Sequence, residues 1–129
     1  MKPEDLLQLA AAARKNAYAP YSNFCVGAAL LAENGETYTG CNVENASYGL
    51  TNCAERTAVF KAVSEGAEKF MAIAIALPDG GSPCGACRQV LNEFNPAISI
   101  YIGDENGQLL LETDIQTLLP RAFGPENVR

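Results

Sequence analysis

Residues Phe70 to Leu77 form a continuous apolar run, and that run constrains the fold more than any other stretch of the chain. A strand with one wet face alternates apolar and polar residues; one without polar positions is a central strand covered on both sides. The flanking sequence supplies the rest of such a sheet. Phe24–Ala32 and Glu36–Val43 read as strands joined by an Asn34-Gly35 hairpin turn, and Ile98–Ile102 and Gln108–Leu111 as two more around Asn106-Gly107. Helices are predicted from residue 3 to about 18, from Cys53 to about Glu65, from Cys84 to about Phe94 and over Asp114–Leu119. The first carries Pro3, Glu4 and Asp5 where a helix start favours them, with Leu6, Leu9, Ala10, Ala13 and Ala17 as its apolar stripe. Gly66 ends the second, and Pro83 opens the third. The order α-β-β-α-β-α-β-β-α predicts an α/β fold, a three-layer α-β-α sandwich around a mixed five-stranded sheet. With 129 residues, 48% of them hydrophobic, the chain reads as one domain over residues 1–129, without repeat or linker.

Histidine is absent. That removes Ser-His-Asp and Cys-His nucleophilic sites and every histidine-held metal centre. A general base here must be a carboxylate, lysine, tyrosine or thiolate, and any metal must be held by sulfur or oxygen. The net charge of −6 offers no basic footprint for nucleic acid. No apolar run approaches a bilayer's thickness and the N-terminus has no signal pattern, so no membrane partner is expected. Five cysteines in a chain that is not loop-rich point to reduced thiols and a cytoplasmic location.

Two short segments carry the chemistry: Cys53-Ala54-Glu55-Arg56 and Pro83-Cys84-Gly85-Ala86-Cys87-Arg88-Gln89. Each lies where a loop becomes a helix. Cys84 and Cys87 share a helix face, and parallel strands would bring the start of the other helix, with Cys53, alongside. Three thiolates around Zn²⁺ leave a fourth position open, as in a catalytic rather than a structural site. Helix N-termini favour thiolates as well. Taken alone, Cys-x-x-Cys also describes a redox pair, and Cys-Ala-Glu an ordinary helix surface. Together, with Glu55 supplying the base that a histidine-free chain otherwise lacks, they describe a catalytic zinc site. Cys25 and Cys41 lie in strand runs and read as small buried hydrophobes.

These segments, with Tyr18-Ala19-Pro20-Tyr21-Ser22-Asn23-Phe24, Val26-Gly27-Ala28-Ala29 and Gly40-Cys41-Asn42-Val43-Glu44-Asn45-Ala46, resemble the small cytidine deaminases of the homotetrameric, three-cysteine zinc type. The resemblance implies one Zn²⁺ per chain on Cys53, Cys84 and Cys87, with Glu55 as proton shuttle and Arg56 hydrogen-bonded to the ligand sulfurs as their counter-charge. It implies hydrolytic deamination of cytidine and deoxycytidine to uridine and deoxyuridine, with release of ammonia, in pyrimidine salvage. Asn42 and Glu44, two apart on an extended segment, would contact the sugar hydroxyls, and Phe24 would stack on the pyrimidine, with core packing as its alternative role. The Ala54 N–H and the Ser82 carbonyl would meet the base edge. Phe123, and with it Tyr48, would reach a neighbouring subunit's site in a homotetramer with shared sites.

Overall fold

The computed structural model describes residues 1–128. Five strands, β1 (Gly27–Ala32), β2 (Thr37–Cys41), β3 (Phe70–Ala76), β4 (Ser99–Gly103) and β5 (Leu109–Asp114), form one mixed sheet in the order β2-β1-β3-β4-β5. Only the central β3–β4 pair is parallel; β1 pairs antiparallel with β2 and β3, and β4 with β5. The helices are α1 (Pro3–Arg14), α2 (Ala54–Ser64), α3 (Gly85–Phe94) and the short α4 (Ile115–Leu118). This is the predicted three-layer arrangement.

The two faces of β3 explain which helix goes where. Ala72, Ala74 and Ala76 join Ala29 under Leu6, Leu7 and Ala10 of α1. Ile73 and Ile75 point the other way, into a core with Ala58 and Val59 of α2, Leu91 of α3 and Ile115 of α4. Alanine lets a helix lie close; isoleucine fills the wider gap beneath two helices. The apolar run therefore encodes both covers of the central strand.

Three boundaries differ from the sequence reading by three residues or more. The first helix ends at Arg14 instead of near residue 18, because Tyr18 pairs with the far end of β2: its N–H donates to the Asn42 carbonyl (3.0 Å), and its own carbonyl accepts from the Glu44 N–H (2.8 Å). The first strand begins at Gly27 instead of Phe24, since the Asn42 side chain occupies backbone groups of Phe24 and Val26 that a neighbouring strand would otherwise pair. The last strand runs on through Glu112 and Thr113, which pair with Tyr101 and Ile100. Its outer edge is unpaired among the described residues, so these polar residues carried no burial signal.

Candidate active site

Strands β2 and β3 are both antiparallel to β1, so they run in the same direction, and the helices that follow them begin at the same end of the sheet. Cys53 is the residue before α2 and Cys84 the residue before α3; neither side chain caps its own helix. Cys87 lies in the first turn of α3, fully buried. The three Sγ atoms lie within 4.8 Å of one another, with Cys53 Sγ and Cys84 Sγ 3.9 Å apart. Tetrahedral zinc with Zn–S bonds of about 2.3 Å separates its sulfurs by about 3.8 Å, so the donor set fits that ion. Close packing of α2 on β2 fixes the first corner: a Cβ on Gly40 would lie 2.5 Å from the Ala58 nitrogen and 2.7 Å from the Ala54 oxygen.

The electrostatics suit a thiolate at Cys53. A hydrogen bond shared with Cys87, reinforced by Arg56, pulls the Cys53 thiol down to about 5. The same shared bond, with burial, pushes the Cys87 thiol up. Arg56 Nη2 donates to Cys53 Sγ at 3.2 Å, and the sulfur in turn holds the guanidinium more firmly protonated. Arg56 Nε is buried without a hydrogen-bond partner among the described residues. Zn²⁺ with three thiolates would carry a formal charge of −1, and the guanidinium is the cation beside it. Glu55, 5% exposed, lies beside the sulfurs in the first turn of α2, and burial pushes its carboxyl up to about 7.

A cavity of about 440 Å³ opens onto this centre. Phe24, Asn42, Glu44, Ala54, Glu55 and Ser82 line it together with Cys53 and Cys84. A hollow of about 430 Å³ between Ala32–Asn34 and Gly66–Lys69 is as large but holds no thiol, so chemistry rather than size identifies the site.

Part of the cavity lining is held by two residues that the resemblance marked as sugar ligands. Asn42, 8% exposed, donates from Nδ2 to the Phe24 carbonyl (2.8 Å) and accepts at Oδ1 from the Val26 N–H (2.9 Å). It thereby fixes Phe24, which is 38% exposed and lines the cavity. Glu44 accepts from the Tyr21 and Ser22 N–H groups (2.9 and 3.1 Å) and from the Ser22 hydroxyl. The hydroxyl chiefly, and then the two N–H groups, hold its carboxyl below the ordinary range. Ala54 begins α2, where backbone N–H groups have no partner within the helix.

Tyr48 and Phe123 do not line their own chain's cavity. Tyr48 is 73% exposed and stacks edge-on with Tyr21 (5.8 Å between centroids), beside an adjoining hollow of about 410 Å³. Phe123 is 63% exposed, and its carbonyl accepts from Gln89 Nε2 at 2.7 Å. The sequence reading passed over Ser22, Val26, Thr51, Asn52 and Leu77, all of which line the cavity. Ser22 and Asn52 had signals, the first within the segment before Phe24 and the second directly before Cys53.

An open-cornered set of three thiols beside a buried carboxylate is the class of centre that places a metal-activated water against a proton-transfer group. Residues 1–103 match the family described as the cytidine and deoxycytidylate deaminase zinc-binding region, and the chain belongs to that family. A cytidine deaminase of Sporosarcina psychrophila is 51% identical over 99% of this chain and 96% of its own, and one from Halalkalibacterium halodurans is 50% identical over 99% and 98%. The crystal structure of cytidine deaminase from Burkholderia pseudomallei superposes with a TM-score of 0.90 at 49% identity, covering 95% of this chain and all of that one.

Proposed function

We propose that this chain is a zinc-dependent cytidine deaminase that hydrolyses cytidine and deoxycytidine to the corresponding uridines and ammonia. The observation that carries the proposal is the convergence of Cys53, Cys84 and Cys87 within 4.8 Å beside the buried Glu55. Held by these three sulfurs, zinc would supply Lewis acidity and lower the pKa of water so that it can give up a proton near neutral pH. Glu55 takes the proton from the water that attacks C4 and delivers it to ring N3. The same carboxylate then takes the proton of the new C4 hydroxyl and passes it to the exocyclic nitrogen; C4=O forms, the C4–N bond breaks and ammonia leaves. Burial suits Glu55 to this work, because a carboxyl near neutrality can both accept and return a proton. Arg56 offsets the excess negative charge of the sulfurs, which would otherwise weaken the Lewis acid.

The remaining cavity residues orient the nucleoside. Phe24 offers a ring for the pyrimidine to stack on. Glu44 accepts a sugar hydroxyl in place of the Ser22 hydroxyl, while Asn42 contributes through what its amide has left after binding Phe24 and Val26. The Ala54 N–H and the Ser82 carbonyl read the base edge. The exposed aromatics Tyr48 and Phe123 reach a neighbouring subunit's site, and the assembly is a homotetramer. Five free thiols accord with a cytoplasmic enzyme of pyrimidine salvage.

The test is ammonia release from a panel of cytidine, deoxycytidine and free cytosine by zinc-loaded protein. Turnover of both nucleosides, with cytosine poor, is the expected result. No ammonia from either nucleoside overturns the proposal.

A further inference from the structure

The three sulfurs are not held equally well. Cys87 is itself fully buried in the first turn of α3, and Cys53 is held by Arg56 and by the close contact of Gly40 with α2. Cys84 is exposed and ends an irregular segment, Leu77–Cys84, in which Ser82 is exposed as well. Leu77 and Pro83 are buried, and one side chain from α3 hydrogen-bonds the end of the segment at Ser82 and Pro83, next to Cys84. Arg88, half-buried in α3, donates from Nε to the Pro83 carbonyl (2.7 Å), from Nη2 to Ser82 Oγ (2.8 Å) and from Nη1 to the carbonyl of Leu118 (2.8 Å). Leu118 is the last residue of α4, a helix anchored in the core by Ile115 and capped by Asp114, whose carboxylate accepts from the Thr117 N–H at 2.8 Å.

Resting on the zinc reading above, we infer that Arg88 is a positioning residue that sets the Cys84 sulfur by clamping Ser82 and Pro83 between α3 and α4. None of its three acceptors is a carboxylate, so charge pairing does not account for the arrangement. What it requires is the planar fork of a guanidinium, which aims several N–H groups in fixed directions; a lysine ammonium is a single point on a flexible stem. A ligand on an ordered loop keeps its sulfur in place when the metal is absent. One on a loose loop must be ordered each time the metal binds, at a conformational entropy cost. Arg88 also takes up the Ser82 hydroxyl, so Ser82 meets the base through its carbonyl.

The experiment compares zinc-loaded wild type, Arg88→Ala, Arg88→Lys and Gln89→Ala in the rate of zinc release to a chromophoric chelator. The thiolate-to-metal absorption of the cobalt-substituted proteins is recorded alongside. Removing a partner that orients a metal ligand typically costs 10–100-fold in metal affinity, so release from Arg88→Ala is expected to be faster by about that factor. Arg88→Lys keeps the charge and most of the stem and serves where the alanine variant does not fold; it also releases faster, with an altered cobalt spectrum. Gln89→Ala, which loses only the tie to the Phe123 carbonyl, releases zinc at the wild-type rate. Wild-type release and spectra in both Arg88 variants overturn the inference, as does equal acceleration in Gln89→Ala. A wild-type chain that binds no zinc overturns the metal reading itself, which separates the two failures.

Discussion

Replacing Asn42 by alanine removes two hydrogen bonds that hold the cavity wall, at 2.8 and 2.9 Å, from a residue only 8% exposed. Each such bond contributes about 1 kcal/mol net, and a buried group left without a partner costs about 1–3 kcal/mol. The Phe24 carbonyl and the Val26 N–H are only part-buried, so water recovers some of that loss. The expected destabilisation is about 2–4 kcal/mol. Urea unfolding followed by circular dichroism measures it, as a lower midpoint at unchanged slope. Because Asn42 fixes Phe24, kcat/KM for cytidine falls too, with KM rising as the stacking wall loosens. A variant within about 0.5 kcal/mol of wild type would refute the reasoning, since surface substitutions do no more than that. It would mean that the amide is free of the backbone and serves only the substrate.

Gly40→Ala drives a methyl group into the backbone of α2 at Ala54 and Ala58, and is expected to cost at least about 2–3 kcal/mol by thermal melting and to lower zinc occupancy. The Glu44 carboxyl is held below the ordinary range by the Ser22 hydroxyl and backbone N–H groups. Its contribution to stability is therefore present in full above the ordinary carboxylate range and is lost as pH falls through the lowered folded value. Carbon-13 NMR titration of the Glu44 carboxyl reads that midpoint, and Ser22→Ala should move it back up. Cys25→Ser and Cys41→Ser are expected to keep one zinc per chain by metal analysis, since neither thiol belongs to the converging group.

The fold was legible in the sequence where burial leaves a pattern. The run Phe70–Leu77 marked the central strand, and Asn34-Gly35 marked the hairpin between β1 and β2. The zinc-type centre was legible because residue types and spacing define it without coordinates: Cys53, Cys84 and Cys87 do converge, and Glu55 is buried beside them. What escaped was set by partners distant in sequence. Nothing within residues 15–18 announces that Tyr18 exchanges backbone hydrogen bonds with Asn42 and Glu44, so the helix pattern reads on past its end. The resemblance marked Asn42 for the sugar, and its place near the end of a strand gave no sign of its two backbone partners. Arg88 stood within the motif without a role, since its acceptors include Leu118 of a later helix.

The measurement that bears most directly on the central claim is turnover by Glu55→Gln with its zinc content known. The amide keeps the size and polarity of the side chain but cannot take the proton from water. The account predicts one zinc per chain, a wild-type cobalt spectrum, and a fall in cytidine turnover of about 10²–10⁴-fold, the usual worth of a positioned acid-base group. Turnover near the wild-type rate in a fully zinc-loaded variant would contradict it.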